Sequence, residues 1–393
     1  EHAAALRRRV VTMRTPARLL DESPDEALSA LMDEAARAAD TVELLAGVHG
    51  VVKAALLEAY RWHLATTNHV ADFPTVRELE IIVREEAAQL DWARDALAEL
   101  CREAEAARRA AAWQEHLHSF LGGAGGIAGR AQRGAAEPAR SGQPFRISRH
   151  PQRDPRFPIN FEFNEPGDER DPSVPGRLIF MMRGRLNELA ATECVAATIY
   201  EAGDQPFDFV HDLARHMWDE ARHSMLGQAV LEHLGHDIKR WPLRIGPGYG
   251  YLTVGPIERF AYLGLIVEQG MMKYPPGKRE EYEWCRDVAK EPLAAMYQDY
   301  DWADEVYHTQ IARRWVARLV SAEPEAMRDY ARSVGQQLAA NKQAIAELWR
   351  AKKAQGQTLQ EGDPLPVPTG ATAELVSEYE APELALTREE LQQ

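Results

Sequence analysis

Two stretches carry residue types at a spacing that does metal chemistry: Asp219-Glu220-Ala221-Arg222-His223 and Asp304-Glu305-Val306-Tyr307-His308. Residues three apart lie on one face of a helix, so each Glu and His can share one cation. The carboxylate can also reach a second cation. Two Glu-x-x-His motifs on separate helices, joined by one Glu from each of two more helices, make a two-metal carboxylate site inside a four-helix bundle. A lone Glu-x-x-His is uninformative, and the chain holds a third at Glu115/His118. That pair directly precedes a glycine run and reads as a surface pair at a helix end. The other two share an Asp before the Glu, a nearby Trp (Trp218, Trp302) and a position well inside a long helix.

The two further carboxylates follow from depth and surroundings. A helix over 177–202 and another over 207–234 are joined by a tight turn, which makes them antiparallel neighbours. Glu188 lies 15 residues before Gly203 and Glu220 lies 14 residues after Pro206, so the two are expected level. Glu193 is roughly 6 Å off that level at 1.5 Å per residue. It reads as a hydrogen-bonded residue behind the ligands. Glu268 sits in Leu265-Ile266-Val267-Glu268, where an unpaired carboxylate would be costly and a metal removes the cost. Glu258 opens the same helix and is favoured there by the dipole alone. The expected ligands are therefore Glu188, Glu220, His223, Glu268, Glu305 and His308. Ligating histidines donate their outer N–H to a carboxylate. Asp219 and Asp304 suit that role in a crossed arrangement, Asp219 near His308 and Asp304 near His223. His216, one turn before Glu220, reads as lining the cavity or as an ordinary structural histidine. Tyr200, Tyr262 and Tyr307 fall near the expected ligands. Tyr307 is placed just behind them, where it could pass electrons or simply pack.

Helices are needed to position these groups, and the sequence supplies them. Residues 1–120 read as an N-terminal helical domain, with helices opening at Pro24-Asp25, over 41–67, and from Asp72-Phe73-Pro74-Thr75 to about 112. Residues 121–171 form a connector, opened by Gly122-Gly123-Ala124-Gly125-Gly126 and then rich in proline. Phe157, Phe161 and Phe163 punctuate its extended second half and are expected to pin it to a helical surface. Residues 172–352 form the metal-binding bundle, with helices over 177–202, 207–234, 257–272, 292–319 and 323–352. Residues 353–393 read as an extended tail. In the N-terminal domain, Leu57-Glu58-Ala59-Tyr60 and Glu85-Glu86-Ala87-Ala88-Gln89 echo the bundle with Gln89 in place of a histidine, which reads as a structural hairpin without metal.

The 393 residues carry a formal net charge of -15, which argues against a broad nucleic-acid or membrane-binding face. No apolar run approaches the roughly 20 residues that span a bilayer. Cys101, Cys194 and Cys285 are scattered, without a zinc-ribbon pattern, and fit a reducing, cytoplasmic setting. The glycine run follows a helix rather than a strand and so does not cradle a nucleotide.

The motifs Asn187-Glu188-Leu189-Ala190-Ala191-Thr192-Glu193, Asp219-Glu220-Ala221-Arg222-His223, Val267-Glu268-Gln269-Gly270 and Asp304-Glu305-Val306-Tyr307-His308, followed by Arg313-Arg314-Trp315, resemble a group of ferritin-like proteins related to the tRNA-hydroxylating di-iron monooxygenases. The resemblance covers roughly 172–320. It implies an all-α, ferritin-like four-helix bundle, here with an added N-terminal helical domain. It also implies a carboxylate-bridged pair of iron ions and dioxygen chemistry. Members often carry a His two residues before the first Glu; this chain has Leu186 there. The expected activity is that of a di-iron oxidase or monooxygenase acting on a small organic substrate and dioxygen, with an external electron donor. Manganese or a mixed iron–manganese pair are the alternative metals. A peroxide-handling enzyme of the manganese catalase kind, or a non-catalytic iron-binding ferroxidase, are the alternative functions. A homodimer is compatible with this reading.

Overall fold

The computed structural model describes residues 1–393 except 14–19, 21–22, 24, 135–136, 169, 204, 361 and 367–393. The expected tail beyond 366 thus lies outside the described residues. The chain is predominantly helical and divides into two units, Glu1–Arg146 and Ile147–Gln393, so the boundary falls inside the expected connector.

The first unit begins with α1 (His2–Thr12) and α2 (Glu26–Ala35), whose first turn is capped by Asp25 accepting from Ala27 N at 2.9 Å and Leu28 N at 3.1 Å. Next comes α3 (Thr41–Gly47), capped by Asp40, which runs through a π-helical turn at Val48–Lys53 into α4 (Ala54–Thr66). The helix expected from 75 to about 112 is two helices, α5 (Phe73–Leu100) and α6 (Ala104–Gly123). Glu103 adopts an extended backbone between them, and the break lets α6 pack on α2 and α3. Leu31, Val51, Trp113, Leu117 and Phe120 close this core. Residues 141–143 of the expected connector are fastened to it. Buried Glu34 accepts from Ser141 N at 2.7 Å and His116 at 2.9 Å, and Arg37 donates to Gln143 O at 2.7 Å.

The second unit opens with an extended segment in which β1 (Ile159–Asn160) pairs in parallel with β2 (Leu243–Arg244). Phe161 is buried with Tyr249, Ile345 and Trp349, which confirms the expected pinning. The helix expected over 177–202 is broken into α7 (Val174–Leu186) and α8 (Leu189–Glu201). Asn187 makes the break: its side chain donates to Arg183 O at 2.8 Å and accepts from Arg244 N at 2.7 Å, tying the helix end to β2. Glu188 is the very next residue. α9 (Phe207–His233) then runs back alongside both pieces. After α10 (Gly246–Tyr251), the segment expected as one helix over 257–272 is α11 (Pro256–Tyr262), a π-helical turn at Leu263–Glu268, and α12 (Gln269–Met271). A π turn adds a residue to the helical circuit and re-aims the side chains at its end, here Glu268. α13 (Lys278–Trp284), α14 (Pro292–Leu319) and α15 (Pro324–Lys353) complete the unit.

Helices α9 and α14 carry the same layering in opposite directions. Along α9, Phe209 and Leu213 precede the motif and Val230 and Leu231 come after it. Along α14, Ala294 and Ala295 precede it and Ile311, Ala312 and Trp315 come after. Phe209 and Leu213 share one apolar cluster with Trp315; Val230 and Leu231 share the other with Ala294. The two motifs therefore sit at one depth, a polar layer between two apolar ones. Gly264 lets the π turn approach α14 closely, because a Cβ there would collide with the Ala312 side chain. Gly264→Ala is expected to cost about 1–3 kcal/mol through overpacking. Equilibrium denaturation checks this, and an unchanged midpoint would contradict it.

Candidate metal centre

Eight side chains from four segments converge on the polar layer in two groups. His216, Glu220, Glu268 and His308 form one, hereafter site A; Glu188, His223, Asp301 and Glu305 form the other, site B. Within each group the candidate ligand atoms lie within 4.8 Å of one another. The six expected ligands are all present. Seven of the eight residues are no more than 2% exposed, and Glu188 is half-buried.

Two members were not expected as ligands. His216 Nε2 lies 2.7 Å from Glu268 Oε1 and 3.4 Å from Glu220 Oε1, and its ring stacks on His308 at 3.8 Å between centroids. Asp301 Oδ1 lies 3.4 Å from His223 Nδ1. A signal for both was present: each occurs four residues before the motif Glu, so that His216-x-x-Asp-Glu-x-x-His223 and Asp301-x-x-Asp-Glu-x-x-His308 are one pattern. Four residues is one helical turn, so the extended pattern lines a single face. Glu188 reaches the α9 motif, its Oε2 lying 3.5 Å from His223 Nδ1.

The outer nitrogens of the two motif histidines are clamped crosswise. His308 Nε2 is 3.3 Å from Asp219 Oδ2 and His223 Nε2 is 3.2 Å from Asp304 Oδ2. Arg222 joins the clamps, donating to Asp219 at 2.8 Å and Asp304 at 2.5 Å, and Arg215 donates to Asp219 at 2.8 Å. Among the described residues the inner nitrogens, Nδ1 of His223 and His308, make no hydrogen bond although both are buried and lie 3.3–3.5 Å from carboxylate oxygens. Among the described residues Glu188 Oε2, Glu268 Oε2 and Glu305 Oε2 are likewise buried without a hydrogen bond, Glu188 Oε2 lying 3.5 Å from His223 Nδ1. Buried polar atoms left this way are costly. Inward lone pairs on imidazole and carboxylate, with outward N–H groups fixed by carboxylates, suit a borderline divalent cation such as iron or manganese.

Other expectations are placed elsewhere. Glu193 does not lie behind the ligands: Arg153 pairs with it at 2.5 and 3.0 Å and draws it toward the extended segment. Tyr307 packs under Arg215, whose guanidinium is 5.4 Å from the ring centroid, so it backs the clamp rather than a ligand. Tyr262 packs against Tyr251 and Gly335. Glu258 caps its helix, accepting from Gly255 N at 2.6 Å. Glu115 and His118 are exposed, as a surface pair should be. In the first unit, Glu86 is held by His2 at 2.8 Å and Lys53 at 3.0 Å, and Gln89 is exposed.

Two cations intrude on site B. Lys278 is 1% exposed, and its ammonium lies 2.7 Å from Asp301 Oδ1, 2.9 Å from Glu305 Oε1 and 3.8 Å from Glu188 Oε1. Arg185 contacts Glu188, Glu281 at 2.9 Å and Asp301 at 3.4 Å. In site A, Glu220 and Glu268 pair only with histidines among the described residues.

The charges shape protonation. Burial disfavours the imidazolium of His223, but Asp304 and Glu188 outweigh it and raise the pKa to about 11. Burial likewise opposes charge on His308, and Asp219 and Glu220 raise it to about 10. Burial pushes Glu305 up to about 8, Lys278 working against the rise and Glu268 and Glu220 with it. At neutral pH the metal-free centre therefore holds protons on the two imidazoles. A cation needs those donor atoms bare, so metal uptake releases protons and affinity rises with pH, about tenfold per pH unit for each proton displaced. Calorimetric titration between pH 6 and 8, in buffers of different ionisation enthalpy, is expected to show this release; zero net release would contradict it. For the metal-free fold the sign is opposite. The raised imidazoles contribute stability that is fully present below their unfolded value of about 6.5 and is lost as pH rises through 10 to 11.

Comparison of the chain with protein-family models, curated proteins and solved structures finds no match. Among the described residues no helix is long and apolar enough to cross a membrane.

Proposed function

We propose that this chain is a ferritin-like two-metal oxidase or monooxygenase that uses dioxygen to oxidise a small organic substrate. Iron is the expected metal, with manganese or a mixed pair as alternatives. The observation that supports it is the convergence of three imidazoles and five carboxylates from four segments, in two adjacent groups, between apolar layers. A pair of such ions supplies Lewis acidity and the electrons that dioxygen reduction needs.

The chain's own residues do the rest. Glu188, Glu220, Glu268, Asp301 and Glu305 supply negative charge to offset the cations, and His216, His223 and His308 supply neutral donors. Asp219 and Asp304 fix which nitrogen of each motif histidine faces inward. The Phe209–Trp315 layer on one side and the Val230–Ala294 layer on the other keep bulk water from the polar layer. Fixed ligands in a dry site need no reorganisation as charge develops, which is the source of electrostatic catalysis.

The test is anaerobic reconstitution with ferrous iron, then metal analysis, Mössbauer spectroscopy and exposure to dioxygen. Two irons per chain in a coupled pair, and dioxygen consumed in the presence of an electron donor, are expected. Protein that retains no metal would overturn the reading. Peroxide disproportionation by manganese-loaded protein, with no dioxygen uptake by the iron form, would reassign it to peroxide handling.

A further inference from the structure

Sites A and B have similar donors but different company. Site A offers two carboxylates and two imidazoles, with no lysine or arginine paired to its carboxylates among the described residues. Site B offers three carboxylates and one imidazole, and Lys278 already stands among them. Its ammonium donates to both oxygens of Asp301, at 2.7 and 2.8 Å, and lies 2.9 Å from Glu305. Those are the atoms a cation in site B would need. Lys278 is the first residue of α13, and a lysine at a helix start faces the positive end of the dipole. The local helix does not favour it there; the carboxylates of site B do.

We propose, resting on the two-metal reading above, that Lys278 is a built-in occupant of site B, so that the centre loads in order. The first ion enters site A. The second must displace the Lys278 ammonium from Asp301 and Glu305 and is therefore bound more weakly. An ammonium and a divalent cation cannot share those oxygens without strong repulsion, so binding at site B is an exchange rather than an addition. Arg185, held by Glu281 and Glu188 as well as Asp301, remains as the fixed positive neighbour. The device sets an affinity difference between two otherwise comparable donor sets and keeps the metal-free carboxylates neutralised.

The experiment titrates the metal-free, full-length protein with Co(II), following calorimetry and the visible d–d bands, with native mass spectrometry at one equivalent. Wild type is expected to show two steps, the second at least ~10-fold weaker, and a dominant one-cobalt species. Lys278→Met is expected to tighten the second step by ~10-fold or more while leaving the first within about twofold. A crystal of wild type grown with one equivalent of Co(II) should show anomalous scattering among His216, Glu220, Glu268 and His308. This reading does not require the variant to fold. Two equal steps in wild type, a second step unchanged in the variant, or first occupancy of site B would overturn the ordering and leave the two-metal reading intact. Binding of no Co(II) by either protein would overturn both.

Discussion

His308→Ala is expected to lower metal affinity by more than ~100-fold and to abolish dioxygen consumption. Substitution of residues that only orient ligands already costs about 10–100-fold in affinity. His308 does more: its Nδ1 faces Glu220 at 3.3 Å and Glu268 at 3.8 Å, so it is a donor of site A itself. The fold should survive, because the Asp219 it leaves is still held by Arg215 and Arg222. Metal content after dialysis, read beside circular dichroism, tests this. A variant that keeps two ions per chain would show that His308 is not a ligand. Asp219→Asn, which touches the same imidazole from outside, is expected to fall within the 10–100-fold range and to keep partial activity.

The largest effect on stability is expected outside the metal-ligand set, at Asp168. Its side chain is fully buried and pairs with Arg183, with Arg244 at 3.4 Å and with Asn160 at 3.1 Å. It thereby joins the extended segment to α7 and β2. Both arginines are themselves buried, and burial lowers the Arg244 pKa to about 10 even with Asp168 beside it. Removing one partner of a buried ion pair leaves uncompensated charge and costs about 3–5 kcal/mol. Asp168→Ala should therefore shift the urea midpoint strongly and loosen the strand pair that Asn187 uses to set the helix break at Glu188. A change below ~1 kcal/mol would mean that the arginines find other acceptors.

How much of this was legible in the sequence depended on the range over which each residue's partner lies. The helices over 207–233 and 292–319 are legible almost to the residue, because turn signals and helical periodicity are local. The motif pairs are legible for the same reason, since their spacing is a property of one helix. The breaks are not. Asn187 ends α7 by bonding to Arg244, 57 residues away, and no local pattern marks that contact. In the π turn that ends at Glu268, Gly264 packs closely on Ala312 of another helix, a contact that no local pattern marks. His216 and Asp301 become visible only when the two motifs are extended together by one turn. Lys278 lies in Gly277-Lys278-Arg279-Glu280, which resembles a solvated helix start. Only its awkward charge at that position hints that something buried holds it.

The crossed clamps tie translation of one rod along another to the aim of two rings. If α14 slid along α9 by a single turn, about 5.4 Å, Asp219 would lose His308 and Asp304 would lose His223 in the same movement. Neither ring could keep its bearing while the other lost it. The pair thus works like a two-pin key: helix register is either correct, with both imidazoles aimed inward, or wrong for both. Substitutions at the two clamps should accordingly be far from additive, the first having already spoiled much of what the second would damage.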